Sequence, residues 1–343
     1  MALMRAFALR RANLFILFQS LSVGVGASST SANATSKCVH ARVLKLSPVV
    51  YIHVPKASGS SVQLMLTDFV ESVGLSPAVW VRGCDVVRRN VFSTNPELHY
   101  DLDAIMRKNR LLCKHTQPWH YDKCICSTAI WGGHIPTWAV RLLYTGTGVK
   151  PRYMITMRDP IAGELSKIRF IHKNLMTIDD VIAKVTQKIS QGLYASVTKH
   201  QTNYHAAPWL SVDPLDYTQA RRALNMFSVI ALTENFDTAR RMIQRLIDPA
   251  NTWNGWRSNM YYTNKSPGNF PTSIVLQRLP ASKFAMLRES YYNETQLYIS
   301  GLRAHNRICV GLLDTTRAKC HCVLRDGSSD GSNSNVREVV CSS

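Results

Sequence analysis

The sequence predicts an α/β protein with a central parallel β-sheet flanked by helices. Three short apolar runs, rich in β-branched residues, have the length of buried strands: VVYIHV at 49–54, YMITM at 153–157 and FSVIAL at 227–232. Each run is followed by a segment whose apolar residues recur with the helical period. Strands that alternate with helices are typical of a parallel sheet covered on both faces.

The helix that follows each run has its own sequence signals. After the first run, apolar residues recur at helical spacing up to Val73, and Gly74 is suited to end the helix. After the second run, Asp159 and Pro160 suit the N-cap and the first helical position. After the third run, a helical face carries Phe236, Ile243 and Leu246.

The composition is that of a folded, strongly basic protein. Of the 343 residues, 45% are hydrophobic, which is enough to form one large core or two small ones. Lys and Arg together number 41 and Asp and Glu 22, so the formal net charge is +19. An excess of this size predicts affinity for polyanions, a class that includes nucleic acid, anionic membranes and acidic polysaccharides.

The N-terminal sequence helps to decide among these three classes of polyanion. Arg5, Arg10 and Arg11 precede an apolar run at 12–27, and small residues follow it. This pattern predicts a secretory signal that is either cleaved near Ala27 or retained as a membrane anchor with the remainder of the chain in the lumen. A secreted protein rarely meets nucleic acid, so no nucleic-acid partner is expected and the basic excess favours an acidic glycan.

Cysteines and glycosylation sequons agree with a lumenal location. The odd number of cysteines predicts disulfides with one thiol left over, and their connectivity stays open. A zinc site at Cys113, Cys124 and Cys126 is the alternative, although their spacing matches no common zinc pattern. Three sequons begin at Asn33, Asn264 and Asn293. The nine cysteines are Cys38, Cys84, Cys113, Cys124, Cys126, Cys309, Cys320, Cys322 and Cys341.

Composition changes along the chain predict four segments. Residues 1–27 form the signal peptide or anchor, and the Ser-, Thr- and Ala-rich residues 28–44 form a short stem. Residues 45–311 contain no repeat or evident linker and are expected to form one catalytic domain. Residues 312–343 are expected to be a cysteine-containing, low-complexity tail.

A phosphate-binding loop is predicted where the first strand ends. The residues from Tyr51 to Ser61 read YIHVPKASGSS, in which a strand is followed by a loop of small residues and the start of a helix. Such a loop presents backbone N–H groups and a helix N-terminus to an anion, and its small side chains allow close approach. Lys56 adds a positive charge, and Ser60 and Ser61 add hydroxyl donors.

A second anion-binding motif follows the second strand. Arg158 comes directly after that strand, and Ser166 lies eight positions further on, about two turns into the next helix. An arginine fork combined with a hydroxyl is well suited to bind a terminal phosphate. The lysine loop thus suits a nucleotide 5′-phosphate, and this second motif, about 100 residues further on, suits a terminal phosphate monoester.

These motifs resemble those of Golgi carbohydrate sulfotransferases, most closely the heparan sulfate 2-O- and 6-O-sulfotransferase group. The order Pro-Lys-x-x-x-Ser-Ser after a strand resembles their 5′-phosphosulfate loop, with Ala57 and Ser58 in place of Thr and Gly. Arg158 and Ser166 match the pattern RDPxxRxxS of their 3′-phosphate site. Gly163 stands where many members have arginine, and either Lys167 or Arg169 is a candidate to replace that charge.

The resemblance covers about residues 45–308 and implies a P-loop-like PAPS sulfotransferase fold. It implies that 3′-phosphoadenosine 5′-phosphosulfate (PAPS) is the sulfuryl donor, that a glycan hydroxyl is the acceptor, and that no metal is needed. The acceptor is expected to be an anionic polysaccharide. The location implied is the Golgi lumen, as a single-pass type II membrane protein, or secretion if the signal is cleaved.

Individual residues receive roles through the same resemblance. In related enzymes a Gly-His segment supplies the general base, and His134 in WGGHIPTW aligns with it. His53, His115 and His120 remain competing histidines. Lys56 is expected to stabilise charge on the leaving oxygen. The expected PAPS-binding residues are Lys56, Ala57, Ser58, Gly59, Ser60, Ser61, Arg158, Ser166 and, in a loop over the nucleotide, Lys265 and Ser266.

Two other functions compete with sulfuryl transfer. A kinase would require a lysine at the end of the loop and magnesium ligands in register, whereas Lys56 opens this loop. A secreted, non-catalytic protein that binds polyanions or glycans would explain the charge and the signal. It would not explain two phosphate motifs in this order.

Overall fold

A computed structural model describes residues 47–75, 79–81, 129–144, 149–172, 177–191, 206–211, 213, 215–257, 272–313, 320–326 and 337–342. The signal segment and the stem lie outside these residues. So do Cys38, Cys84, Cys113, Cys124 and Cys126, the histidines His115 and His120, and the predicted loop residues Lys265 and Ser266. Within the described ranges, no helix has the length and apolarity needed to cross a membrane.

The central sheet has five parallel strands in the order β2-β3-β1-β4-β5. Three of them are the strands expected from the sequence, and their bounds differ by no more than two residues. The predicted α/β class with a parallel sheet is therefore confirmed. The strands are β1 (Val49–Ile52), β2 (Val79–Val81), β3 (Ile130–Gly133), β4 (Arg152–Met157) and β5 (Phe227–Leu232).

Ten helices surround this sheet in the described residues. The helix expected after each of the three predicted strands is present, and Asp159 accepts a hydrogen bond from the Ala162 amide as the predicted N-cap. The helices are α1 (Gly59–Ser72), α2 (Thr137–Tyr144), α3 (Pro160–Ile171), α4 (Ile178–Ser190), α5 (Ala207–Leu210), α6 (Tyr217–Ala223), α7 (Phe236–Ile247), α8 (Thr272–Arg278), α9 (Ala281–Ser290) and α10 (Tyr292–Leu313).

Alternate residues of each strand point to opposite faces of the sheet, and both faces are covered. Val49 and Tyr51 pack against α1 and α7, whereas Val50 and Ile52 face a cluster formed with α2, α5, α6 and α10. This is why the strands read as continuous apolar runs. A third apolar cluster joins α3, α4, α8 and α9 beside the sheet.

The C-terminal segment contains a small second sheet. Strands β6 (Cys322–Asp326) and β7 (Arg337–Cys341) pair antiparallel, and β6 packs against α10. Disulfides join Cys309 to Cys320 and Cys322 to Cys341, which confirms that these cysteines pair. The segment predicted as a low-complexity tail thus includes a disulfide-linked hairpin, which composition did not reveal because the hairpin depends on disulfides and on packing against α10.

The strand order has a topological switch point at the carboxyl end of β1. From β1 the chain passes to β2 and β3 on one side, and later to β4 and β5 on the other. Open parallel sheets bind ligands at such a switch point, outside the carboxyl ends of their strands. The segments that follow β1, β3, β4 and β5 carry Lys56, His134, Arg158 and Glu234, respectively.

Candidate active site

The loop after β1 has an unusual backbone. Lys56 and Ser58 both adopt left-handed conformations, with φ of 64° and 56°. Such a conformation costs a non-glycine residue about 1–2 kcal/mol, so it persists only where the surrounding structure requires it. Turns of this kind direct successive backbone N–H groups toward one point, which is the geometry of an anion-binding nest.

The loop leads directly into the N-terminus of α1. Ser58 is the N-cap residue, and its side chain makes no capping hydrogen bond. The first amide groups of a helix point outward, and the helix dipole places partial positive charge there. Ala57 and Ser61 are buried, whereas Ser60 is exposed and Ser58 is half-buried. Of the predicted loop hydroxyls, those of Ser58 and Ser60 are therefore the more accessible to a ligand.

Gly59 is needed at the start of α1 because the His53 ring lies against it. A Cβ atom added to Gly59 would lie 1.8 Å from Cδ2 and 1.9 Å from Nε2 of that ring. We expect Gly59→Ala to lower the free energy of unfolding by about 1–3 kcal/mol, because the ring is buried and cannot move without repacking. Chemical denaturation of the full chain measures this change.

Gly311 provides a matched control within another helix. A Cβ added there meets nothing within 4 Å, so Gly311→Ala is expected to raise stability by about 0.5–1 kcal/mol through helix propensity. Equal stability of the Gly59→Ala variant and the native protein would show that the His53 ring is not held against α1.

Three cationic side chains converge beside this loop. Arg158, which follows β4, donates a hydrogen bond from Nη1 to the Lys56 carbonyl oxygen at 3.0 Å. The Lys56 ammonium lies over the Phe170 ring, 4.0 Å from its centroid. Burial lowers the pKa of Lys56, and the charges of Arg158 and Arg169 lower it further. The structure thus brings together Lys56 and Arg158, which the sequence placed in separate motifs.

Lys56 and Arg158 differ in how nearby carboxylates compensate their positive charges. Neither ion pairs nor carboxylate charges act on Lys56 among the described residues, and the Arg158 Nε atom is buried without a hydrogen-bond partner there. Burial lowers the pKa of Arg158, while the carboxylates of Glu234 and Asp159 act in the opposite direction. An arginine stays protonated in this situation, so Arg158 and Lys56 present positive charge that is suited to bind an anion.

Helix α3 supplies the third cation of this cluster. Of the two residues considered as replacements for the arginine missing at Gly163, Lys167 lies near the Glu164 carboxylate at 3.8 Å. Arg169 instead lies close enough to the other two cations for repulsion: its charge lowers the pKa of Lys56, and its own pKa is lowered by burial and by the charge of Arg158. Ser166 is half-buried and lies three residues before Arg169 on the same helical face, but it makes no hydrogen bond to Arg158.

The Glu234 carboxylate, which lies just after Leu232, the last residue of β5, links the segment after β4 to α10. Glu234 accepts a hydrogen bond from the Asp159 amide at 2.9 Å and another from the Tyr298 hydroxyl at 2.9 Å. The sequence motifs assign no site role to Glu234 and do not predict its electrostatic interaction with Arg158. The signal available was its position, because Glu234 follows β5 at the same sheet edge where Arg158 follows β4.

His134, the predicted base, lies directly after β3 and stacks on His53. Their ring centroids are 4.1 Å apart, and His134 Nδ1 lies 3.1 Å from the His53 carbonyl oxygen. A carbonyl can only accept, so Nδ1 carries the proton in the neutral ring and Nε2 keeps its lone pair. This is the tautomer required of a general base acting through Nε2.

The electrostatics keep both histidines neutral. Burial lowers the pKa of His134, although its hydrogen bond to the His53 carbonyl partly opposes this shift. Burial lowers the pKa of His53 to about 3, helped by the charges of His134 and Lys56. His53 therefore lies between the predicted base and the loop lysine, and it connects the two parts of the candidate site.

The two glycines before His134 allow β3 to lie close to the backbone of β1. A Cβ on Gly132 would lie 2.0 Å from the Tyr51 carbonyl oxygen, and Gly133 has a φ of 126°. The Gly133 carbonyl in turn accepts a hydrogen bond from the His53 amide at 2.8 Å. Small residues thus let β3 run close to β1.

No family model matches this chain, and no curated protein resembles it in sequence at a significant level. Within the described residues there is also no group of three or more side chains able to hold a metal ion. The predicted zinc alternative at Cys113, Cys124 and Cys126 lies outside those residues. The chemistry of the site must therefore be argued from its own geometry.

Proposed function

We propose that this protein is a carbohydrate O-sulfotransferase that transfers a sulfuryl group from PAPS to a glycan hydroxyl, on a P-loop-like sulfotransferase fold. The observation that carries the proposal is the group of three cations, Lys56, Arg158 and Arg169, beside the N-terminus of α1. A ligand with phosphate groups at both ends of a nucleoside would place its negative charges against these cations. The proposed acceptor is an anionic polysaccharide, in agreement with the net charge of +19.

In this proposal, the loop and Arg158 hold opposite ends of the donor. Residues 56–61 bind the 5′-phosphosulfate through backbone amides, the Lys56 ammonium and the accessible hydroxyls. Arg158, supported by Arg169 and Ser166, binds the 3′-phosphate. Lys265 and Ser266 remain proposed contacts from a loop over the nucleotide. The hydrogen bond from Arg158 to the Lys56 carbonyl would fix the spacing between the two subsites.

His134 and Lys56 share the chemical step. His134 Nε2 takes the proton of the acceptor hydroxyl as its oxygen forms a bond to sulfur. The bond from sulfur to the bridging phosphate oxygen breaks, and its electron pair remains on that oxygen. Lys56 stabilises this growing negative charge, which is where a preorganised donor contributes most. The products are a sulfated glycan and 3′-phosphoadenosine 5′-phosphate (PAP).

The predicted N-terminal signal supports a location in the secretory pathway. We propose a Golgi lumenal enzyme attached as a single-pass type II membrane protein by residues 1–27, or a secreted enzyme if that segment is cleaved. Either form would meet glycans rather than nucleic acid. The two disulfides of the C-terminal segment agree with an oxidising compartment.

Binding of PAPS and PAP to the full chain, measured by calorimetry, tests the proposal. We expect Arg158→Ala to weaken both affinities by about 100-fold, because it removes a charge-paired contact and the support of the Lys56 carbonyl. Arg241→Ala, which removes an exposed arginine on α7, is the matched control and should bind normally. A folded native protein that binds neither nucleotide would overturn the proposal and favour a non-catalytic glycan-binding protein.

A further inference from the structure

A groove of about 700 Å³ lies between α10 and β6. Its floor is mainly aliphatic, and its rim is polar and basic. The residues that line it are Ile299, Leu302, Arg303, Asn306, Arg307, Val310, His321, Cys322, Val323 and Leu324.

The two walls of the groove are fixed to each other. The Asn306 side chain accepts a hydrogen bond from the Cys322 amide and donates one to its carbonyl, both at 2.9 Å. The Cys309–Cys320 disulfide joins α10 to the residues just before β6, and the Cys322–Cys341 disulfide joins β6 to β7. The groove is therefore a preformed feature of the fold, which lowers the ordering cost of binding a ligand.

The charged side chains that line the groove are basic. Arg303 and Arg307 are exposed one helical turn apart on α10, and His321 is exposed on the opposite wall. A hydrogen bond from Arg307 Nη2 to Asn225 Oδ1 at 3.2 Å orients that arginine. None of the described residues that line the groove is acidic. An anionic ligand with apolar surface matches this combination of basic rim and aliphatic floor.

The groove extends from the flank of the candidate site. Ile299 lies at its near end and directly follows Tyr298, whose hydroxyl contacts Glu234 beside Arg158. The lining residues of α10 continue to Val310, a distance of about 16 Å along the helix axis. A long chain that reaches the candidate site from this side could therefore also lie along the groove.

We propose that this groove binds a distal segment of an acidic polysaccharide, so that a long acceptor is held at two places. The polysaccharide is favoured over an acidic peptide because an acidic glycan is the acceptor under the proposed function, on which this part of the inference rests. Carboxylate and sulfate groups would pair with Arg303 and Arg307, and the C–H faces of the sugar rings would pack on the partly exposed Ile299 and Val323.

The test measures binding of a heparin dodecasaccharide to the full chain by calorimetry. The double variant Arg303→Glu/Arg307→Glu is expected to bind it at least about tenfold more weakly than the native protein. The control Arg241→Glu/Arg245→Glu reverses two exposed arginines with the same spacing on α7, and it should change the affinity less than about twofold. Thermal unfolding confirms that each variant is folded.

Three results would overturn the inference. One is an unchanged affinity in the groove variant, and another is an equal loss in both double variants, which would indicate general attraction by net charge. The third is equally tight and equally groove-dependent binding of poly-glutamate of the same charge, which would favour an acidic peptide. If Arg303→Glu/Arg307→Glu is unstable, Arg303→Glu alone, which breaks no hydrogen bond of the described residues, takes its place.

This test is independent of catalysis. PAPS affinity, measured on the same samples, should be unchanged in the groove variant because neither arginine belongs to the proposed donor site. A native protein that fails to bind PAPS but binds the oligosaccharide through Arg303 and Arg307 would refute the proposed function and leave the groove assignment intact.

Discussion

The variant Lys56→Ala is expected to lose at least about 100-fold in kcat for sulfuryl transfer while it remains folded. In the proposed mechanism the ammonium group stabilises charge that appears on the leaving oxygen only in the transition state. Its ground-state environment is unfavourable, because burial and the charges of Arg158 and Arg169 lower its pKa. Removal of this repulsion offsets the lost contact with Phe170, so the unfolding temperature should not fall.

The measurement is initial-rate transfer from labelled PAPS, together with thermal unfolding. Lys167→Ala is the matched control, since Lys167 is a lysine on α3 that pairs with Glu164 at 3.8 Å. It should leave the rate unchanged. A Lys56→Ala variant with a native rate would remove the lysine from the mechanism. A variant that fails to fold would assign Lys56 to the loop conformation instead.

The second large loss of transfer rate is expected for His134→Asn. The asparagine amide can still donate to the His53 carbonyl, but it offers no basic nitrogen to the acceptor. Loss of a general base lowers the rate by about 100- to 10,000-fold. PAPS affinity should be retained, because the base acts on the acceptor hydroxyl. Steady-state rates and calorimetric binding to the same samples separate these two effects.

The pH profile of the native enzyme gives a further check on this histidine. Burial lowers the pKa of His134 below its ordinary value of 6.5, and the base acts in its neutral form. Activity should therefore persist as pH falls below 6.5 and decline only on passing the lowered pKa. A decline centred above 6.5, or a His134→Asn variant with the native rate, would transfer the role of base to another residue.

Much of the fold was predictable because the strands are buried on both faces. Runs such as VVYIHV and FSVIAL have no polar face, which is the signature of parallel strands between helices. Strand β2 was not predicted, since three residues are too few to show a period. The β6–β7 hairpin was missed because its stability comes from disulfides and from α10 rather than from its own sequence.

The candidate site was predictable where a residue directly follows a strand. Lys56 and Arg158 lie about 100 residues apart in the chain, yet parallel strands bring their carboxyl ends to one edge, where the two residues meet. Contacts that depend on side-chain direction were not predictable. The position of Arg169 near Lys56 and the stacking of His53 on His134 depend on how α3 and β3 are oriented, which one sequence does not specify.

The paired hydrogen bonds between Asn306 and Cys322 have a consequence for self-association. An isolated two-stranded sheet has two open edges, and each can template a strand of another molecule. The Asn306 amide occupies the backbone groups of Cys322 as a neighbouring peptide unit would. At this residue β6 offers nothing to an incoming strand, so the hairpin has a built-in protection against the edge-to-edge pairing that begins aggregation.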